Sequence, residues 1–372
     1  MTVPGGEVGR AEAVPPAEPE PTEPRELQLT ATRVLLGLLI ALVVGFVLVI
    51  GIGRLAGFEN LTETLRDGDK GWLAICAVGQ IVVFGGYAGA LRRAIAFEGG
   101  PRIETGLALR VVLASFALSQ LFAAGGVAGL AVTYWALRRV GMDRRAAAVR
   151  LIGLSTAVYL VFGVIGWVAA LLSLVLAKAP LGMTLPWLIG IPIVLLAARW
   201  FTGRGRVERW AESRGGILRQ ALSTGVSAAW WVRRATEDRK EGRPVLGWAV
   251  LYWAGDIASL WAALHAFGAK PGIIAITLVY ATGYLAQSIP IPFVATGGMD
   301  AATTFALTAI GVPLEIALVA VIAHRVFAFW IPLIPGLVFA VLLPRTGNAL
   351  TEAATVSEPA AGSSVSTRQS HS

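Results

Sequence analysis

Three ionisable side chains stand inside runs otherwise apolar enough to enter a membrane. They are Arg325 in VAVIAHRVFAFWIPLIPG, Asp256 in GWAVLYWAGDIASLWAALHAFG and Asp300 in SIPIPFVATGGMDAA. Arg325 lies twelve residues into its run. An arginine near the bilayer centre costs roughly 2.5–3.5 kcal/mol on insertion scales, so it must face protein or water rather than lipid. Its guanidinium fork matches a phosphate, such as that of a lipid headgroup. It serves equally well in a structural ion pair with Asp300 or Asp256. Asp256, flanked by Trp253 and Trp261, has three readings: it binds a cationic headgroup, takes a coupling proton, or pairs with Arg325. His265 and His324, close to span ends or beside Arg325, read as satisfied polar helix contacts. Gln120 and Gln287 read as helix–helix hydrogen bonds or as lining of a cavity. Arg150, about a turn inside its run, reaches the membrane surface by snorkelling.

Other chemistry finds no support. The sequence has no GxSxG, Walker A or HExxH pattern, so no enzyme activity and no cofactor are expected. Three histidines, one of them near the C-terminus, and a lone Cys76 offer no metal-ligand spacing and no intrachain disulfide. An intramembrane transferase is the weakest alternative, because no span carries two acids three or four residues apart.

The runs that hold these residues define the class. The chain is 56% hydrophobic and 15% charged, with a mean hydropathy of +0.69; a soluble domain carries about 25% charged residues. Several apolar runs of about 20 residues suffice to cross a hydrocarbon core of about 30 Å. They are continuous rather than alternating, which excludes a β-barrel. An all-α polytopic membrane protein is expected, with full spans near 34–56, 71–91, 146–177, 183–202, 247–268 and 314–343. Residues 1–33, acidic and proline-rich, and 346–372, rich in Ser, Thr and Ala, read as disordered tails around one transmembrane domain.

Two runs differ from the six spans. Residues 106–137 and 272–311 each carry a glycine pair, Gly125-Gly126 and Gly297-Gly298, followed by an arm too short to cross. Each reads as a re-entrant helical hairpin. In the second, Pro290 and Pro292 end the descending arm by removing backbone donors. Gly297 and Gly298 allow the reversal, and Asp300 falls in the first turn of the returning arm, where the helix dipole favours an anion. An ordinary span with a kink is the alternative.

Charge distribution orients the chain. With the N-terminus in the cytoplasm, Arg92, Arg93, Arg102, Arg138, Arg139, Arg144, Arg145, Arg345 and the ten Lys/Arg of 203–245 all lie inside. Arg54, Arg66, Lys70, Lys178 and Lys270 remain outside, as the positive-inside rule requires. The net charge of +8 is therefore a topology signal and not a nucleic-acid footprint. The hairpins then enter from opposite faces, and the units 71–177 and 247–343 form an inverted repeat. GGVAGLAVTYWALRRVG at 125–141 is set against GGMDAATTFALTAIG at 297–311. Such repeats with broken helices are the usual build of secondary transporters. Segment 203–245 spaces Val207, Trp210, Ile217, Leu218 and Leu222 at helical intervals between arginines. It reads as an amphipathic helix on the anionic cytoplasmic leaflet or as a solvated loop. Arginine outnumbering lysine and abundant Ala and Gly suggest a GC-rich bacterial genome, and hence a bacterial cytoplasmic membrane.

IPIPFVATGG, the Gly-Val-Pro at 311–313, HRVFAFWIPLIPG at 324–336, GGYAGALRR at 85–93 and the 125–141 stretch together resemble the transmembrane region of lysylphosphatidylglycerol synthases and its stand-alone relatives. The resemblance spans about 34–345. It implies movement of phospholipid, or of another lipid-linked headgroup, between leaflets, with membrane lipids as partners. Arg325 would hold a headgroup phosphate and Asp256 or Asp300 would balance its charge. The full synthases carry a soluble aminoacyl-transferase domain after this region; this sequence ends in a short polar tail, so lysyl transfer is not expected of it. The family commonly has a Glu a few residues after the glycine pair, where this sequence has Asp300 closer by. A non-transporting membrane scaffold or regulator of an envelope-lipid enzyme, docking through 203–245, is the alternative.

Overall fold

The computed structural model describes residues 67–121, 127–176, 179–202, 216–286 and 294–357. All regular structure among them is helical. Five helical stretches are long and apolar enough to cross a membrane: Lys70–Ala96, Arg144–Leu176, Leu181–Trp200, Arg243–Ala266 and Leu314–Val341. They correspond to five of the six expected spans; the sixth, 34–56, lies outside the described residues. The chain is a multi-pass helical membrane protein.

The helices run in the order α1 (Lys70–Ala96), α2 (Thr105–Leu121), α3 (Val127–Arg139), α4 (Arg144–Leu176), α5 (Leu181–Thr202) and α6 (Ile217–Glu237). Then come α7 (Arg243–Ala266), α8 (Ile273–Ala286), α9 (Val294–Ala309), α10 (Leu314–Arg325), a π turn (Val326–Trp330), α11 (Ile331–Val341) and α12 (Leu343–Ser357). Aspartates start two of the long helices. Asp69 Oδ1 accepts from the backbone N–H of Gly71 at 2.7 Å and Trp72 at 3.2 Å. Asp143 Oδ1 does the same for Arg145 and Ala146 at 2.8 and 2.9 Å. Each satisfies donors that the first helical turn leaves without partners.

The centre of the molecule is the crossing of α1 and α7, which run antiparallel. Asp69 N–H bonds to the Ala266 carbonyl at one end, and Gly89 abuts Trp248 near the other. Between them Gly79 and Gly255 meet backbone to backbone. A Cβ on Gly79 would lie 2.8 Å from the Gly255 carbonyl oxygen, and one on Gly255 would lie 2.7 Å from that of Gly79. Contact this close between two helix backbones is open only to glycine.

Around this crossing the two halves of the chain take matching neighbours. α2 lies against α11, and α8 lies against α4. α3 and α9 close with the same turn. Gly141 (φ +86°) and Gly311 (φ +91°) follow them in the left-handed region. The N–H of Met142 reaches the Leu137 carbonyl, as that of Val312 reaches Leu307. This is the Schellman arrangement. Leu137 and Leu307, Thr133 and Thr303, and Ala147 and Ala317 occupy corresponding buried places.

With the closing turns aligned, Gly297-Gly298 falls two residues further along than Gly125-Gly126. This corrects the sequence expectation. Gly297 and Gly298 are not the point of reversal; both are helical, within the first turns of α9. Gly125, Gly126, Pro290 and Pro292 lie outside the described residues.

The tail expected from residue 346 is also corrected, since α12 continues to Ser357. Its Leu350 is fully buried, Gly347 abuts Trp135, and Thr351 Oγ1 donates to the Arg139 carbonyl at 3.4 Å. Packing against α2 and α3 orders a sequence whose composition alone predicts none. The basic segment 203–245 is likewise divided. Residues 203–215 are outside the described set, and α6 follows with its apolar face set on α4 through Trp231, which lies over Gly153. α7 begins at Arg243. α5 is peripheral, with Leu181, Leu185, Ile189, Ile193 and Leu196 all exposed.

Candidate functional site

Gln80, Asp256 and His324 come from three helices and meet at one depth. Each lies ten residues from a helix end: Gln80 from the start of α1, Asp256 from the end of α7, His324 from the start of α10. The first two ends are joined by the Asp69–Ala266 bond. At about 1.5 Å per residue the three groups lie about 15 Å in, half of a hydrocarbon core of about 30 Å.

Asp256 is the hub. Gln80 Nε2 donates to its Oδ1 at 2.7 Å, and Tyr280 Oη from α8 donates to its Oδ2 at 2.5 Å. His324 Nε2 lies 3.0 Å from Oδ1. With the carboxylate ionised, that histidine nitrogen must carry a proton. The 3.4 Å approach of Gln80 Nε2 to His324 Nε2 is then two donors converging on one oxygen. The Asp256 and His324 side chains are 15% and 10% exposed.

The next residue along α10 makes the second pair. Arg325 Nε lies 3.4 Å from Asp300 Oδ2, with the two side chains 26% and 34% exposed. Its guanidinium also lies over the Phe329 ring, 4.9 Å from the centroid, a cation–π contact. Of the partners open to Arg325 from sequence, the structure selects Asp300, and Asp256 goes to His324. Two acid–base pairs therefore share the last turn of α10, one enclosed and one partly open.

The π turn that follows has a local cause. Ile331 N–H bonds five residues back to the Val326 carbonyl, and Pro332 has no N–H to continue the ordinary ladder. The extra residue turns the helix by about 100°. α10 can therefore face the charged cluster while α11 packs on α2, where a Cβ on Gly336 would lie 2.6 Å from the Leu113 carbonyl oxygen.

An aromatic wall from α4, α7 and α8 backs the hub. Trp253 stacks on Phe162 at 4.2 Å and donates from Nε1 to the Val158 carbonyl at 2.8 Å. Tyr159 and Tyr284 hydroxyls lie 3.3 Å apart beside it.

The remaining polar candidates take structural places. His265 Nδ1 lies 2.9 Å from the Trp261 carbonyl, packed between Trp72 and Trp261, as expected. Gln120 is half-buried near the end of α2, and Gln287 is outside the described residues. Arg150 does not snorkel. Its Nη1 donates to the carbonyls of Ala94, at 2.6 Å, and Phe97 at the end of α1, and Nη2 lies 3.6 Å from Glu98. Among the described residues no group of three or more His, Cys, Asp or Glu is placed to hold a metal ion.

Gln80, Tyr280 and His324 are the site residues that sequence reasoning missed. For Gln80 and His324 the available signal was depth, each ten positions from the start of its helix, with His324 adjacent to Arg325; Tyr280 carried no such signal. No curated protein matches the chain. Residues 34–336, which include both charged pairs and the residues around them, match the family described as Lysylphosphatidylglycerol synthase TM region, and the chain belongs to that family.

Proposed function

We propose that the chain is a lipid translocase. It moves a phospholipid, or another lipid-linked headgroup, between the leaflets of a bacterial cytoplasmic membrane. The observation that carries this reading is the Arg325–Asp300 pair, charged and a quarter to a third exposed at a depth where lipid tails would otherwise surround it. An arginine kept only to hold helices together is better placed fully enclosed; one that must exchange partners needs an open side.

The surrounding architecture supports the same reading. α2, α3, α8 and α9 have 17, 13, 14 and 16 residues. They are thus about 20–26 Å long, short of a core of about 30 Å. We read α2/α3 and α8/α9 as re-entrant hairpins from opposite faces, and the units around them as an inverted repeat that rocks about the Gly79–Gly255 crossing. The headgroup phosphate displaces Asp300 from the guanidinium, which donates to two of its oxygens at once, while the acyl chains stay in lipid. The basic end of the bundle faces the cytoplasm. Exposed Arg219, near the start of α6, lies along the anionic leaflet. The scaffold alternative loses ground because much of the apolar face of α6 is already packed on α4.

The test is reconstitution into vesicles carrying a fluorescent phosphatidylglycerol, with the outer-leaflet label quenched chemically. The expected result is accelerated crossing with the native chain and crossing at the protein-free rate with Arg325→Ala, which still inserts. Equal rates for Arg325→Ala and the native chain would remove the assigned role. No acceleration across a panel of headgroups would remove the translocase.

A further inference from the structure

Two carboxylates, Asp256 and Asp300, face one guanidinium, Arg325, and one histidine, His324, across two pairs on consecutive residues of α10. With a neutral histidine this cluster carries one negative charge. Resting on the proposed headgroup site, we infer that Asp256 and His324 form a proton-binding site whose occupancy is linked to an anionic headgroup at Arg325: the chain takes up one proton as it takes up one phosphodiester.

The argument is electrostatic. A phosphodiester arriving at Arg325 brings a second uncompensated negative charge into a low-dielectric interior, where like charges repel far more strongly than in water. Asp300, displaced from the guanidinium, keeps its own charge nearby. One proton on the Asp256–His324 pair returns the cluster to a single negative charge. The pair is built to take it. His324 already has Nε2 on the carboxylate, so a proton at Nδ1 makes an imidazolium facing its counter-ion. Gln80 and Tyr280 hold the carboxylate in place meanwhile. The enclosed pair holds the proton and the open pair holds the lipid.

Among the described residues, the other groups facing the pair are few in kind. α1 presents Cys76 beside Gln80, α7 itself presents Tyr252, and α8 presents Tyr280 and Tyr284, with Tyr159 of α4 behind. α9 presents Asp300 and α10 Arg325. Cysteine and tyrosine side chains are neutral and carboxylates ionised near pH 7, which leaves the His324 imidazole, on its carboxylate partner, as the group to take the proton.

By linkage, one proton per ligand makes the affinity rise about tenfold for each unit that the pH falls, within the range where the pair titrates. The full chain in detergent is given a short-chain phosphatidylglycerol, with affinity measured from about pH 5 to 8 and proton uptake followed by an indicator dye in weak buffer. Uptake of about one proton per chain on binding is expected. The two variants should depart in opposite directions. Asp256→Asn removes a negative charge and should bind at high pH as tightly as the native chain does at low pH. His324→Gln should stay at the weak, high-pH affinity throughout, with no proton taken up. A purely structural role for the pair predicts loss in both, and thermal melts of each variant show whether it is folded. Binding that is independent of pH with no proton uptake overturns this inference and leaves the headgroup site standing. No binding at any pH overturns the headgroup site and this inference with it.

Discussion

Asp256 receives donors from three other helices, so its carboxylate is as much a clamp as a charge. Tyr280 is the donor whose removal is cleanest, because its side chain is almost fully buried and its hydroxyl bonds to Oδ2 while the other two donors share Oδ1. A hydrogen bond to an ionised group is worth about 1.5–3 kcal/mol net. Tyr280→Phe should destabilise the detergent-solubilised chain by about that amount, seen as a lower midpoint in a thermal melt. An unchanged midpoint would mean that Asp256 does not lean on α8. The sequence made Asp256 and Arg325 stand out because a charge in an apolar run is conspicuous. Gln80, Tyr280 and His324 were not, because polar uncharged residues in spans mostly serve helix contacts. Which acid Arg325 would choose was open until α9 and α10 were placed side by side.

The helix crossing at Gly79 and Gly255 holds two of these side chains at one depth, since α1 carries Gln80 and α7 carries Asp256 one residue from each glycine. A methyl at either position meets backbone, not the end of a flexible side chain, so the helices themselves must separate. Overpacking of this kind costs about 1–3 kcal/mol. Gly255→Ala and Gly79→Ala should each lower the melting midpoint. The double variant should lose less than the sum, because the second methyl enters space that the first has opened; strict additivity would argue against a shared contact. Gln80 and Asp256 ride on these backbones, so Gly255→Ala should also slow lipid crossing in vesicles. Helix identity was legible from hydropathy, and the closing glycines at 141 and 311 from their place after short arms. The role of Gly297-Gly298 was not. A glycine pair signals a reversal and a close helix approach equally well, and only the register of the Gly311 turn shows that Gly298 lies inside α9. α12 was illegible for the opposite reason, since its order comes from Trp135, Gly347 and Leu350 meeting across the fold rather than from its own composition.

Arginines gather at one end of the whole bundle. The end of α1 meets Arg150 near the start of α4, and Arg139 at the end of α3 meets α12. Charge counting anticipated this one-sidedness, because basic loops are the sequence feature that membrane insertion reads most directly. It also makes the proposed hairpins testable without any transport assay. If α2/α3 enters and leaves from the cytoplasmic face, a cysteine at Glu104, just before α2, and one at Arg145, just after α3, must react from the same side. If α8/α9 does so from outside, cysteines at Lys270 and Glu315 must both react from the other side. All four positions are exposed, and the native Cys76 is fully buried, so it stays silent toward a membrane-impermeant maleimide. In intact cells we expect labelling at Lys270→Cys and Glu315→Cys only; in inverted vesicles, at Glu104→Cys and Arg145→Cys only. A chain in which α2 and α3 together crossed once would instead label Glu104→Cys and Arg145→Cys from opposite sides. The basic residues 138–145 would then leave the cytoplasm, and the two charged pairs on α10 would lose the opposed hairpins that give a headgroup its way in.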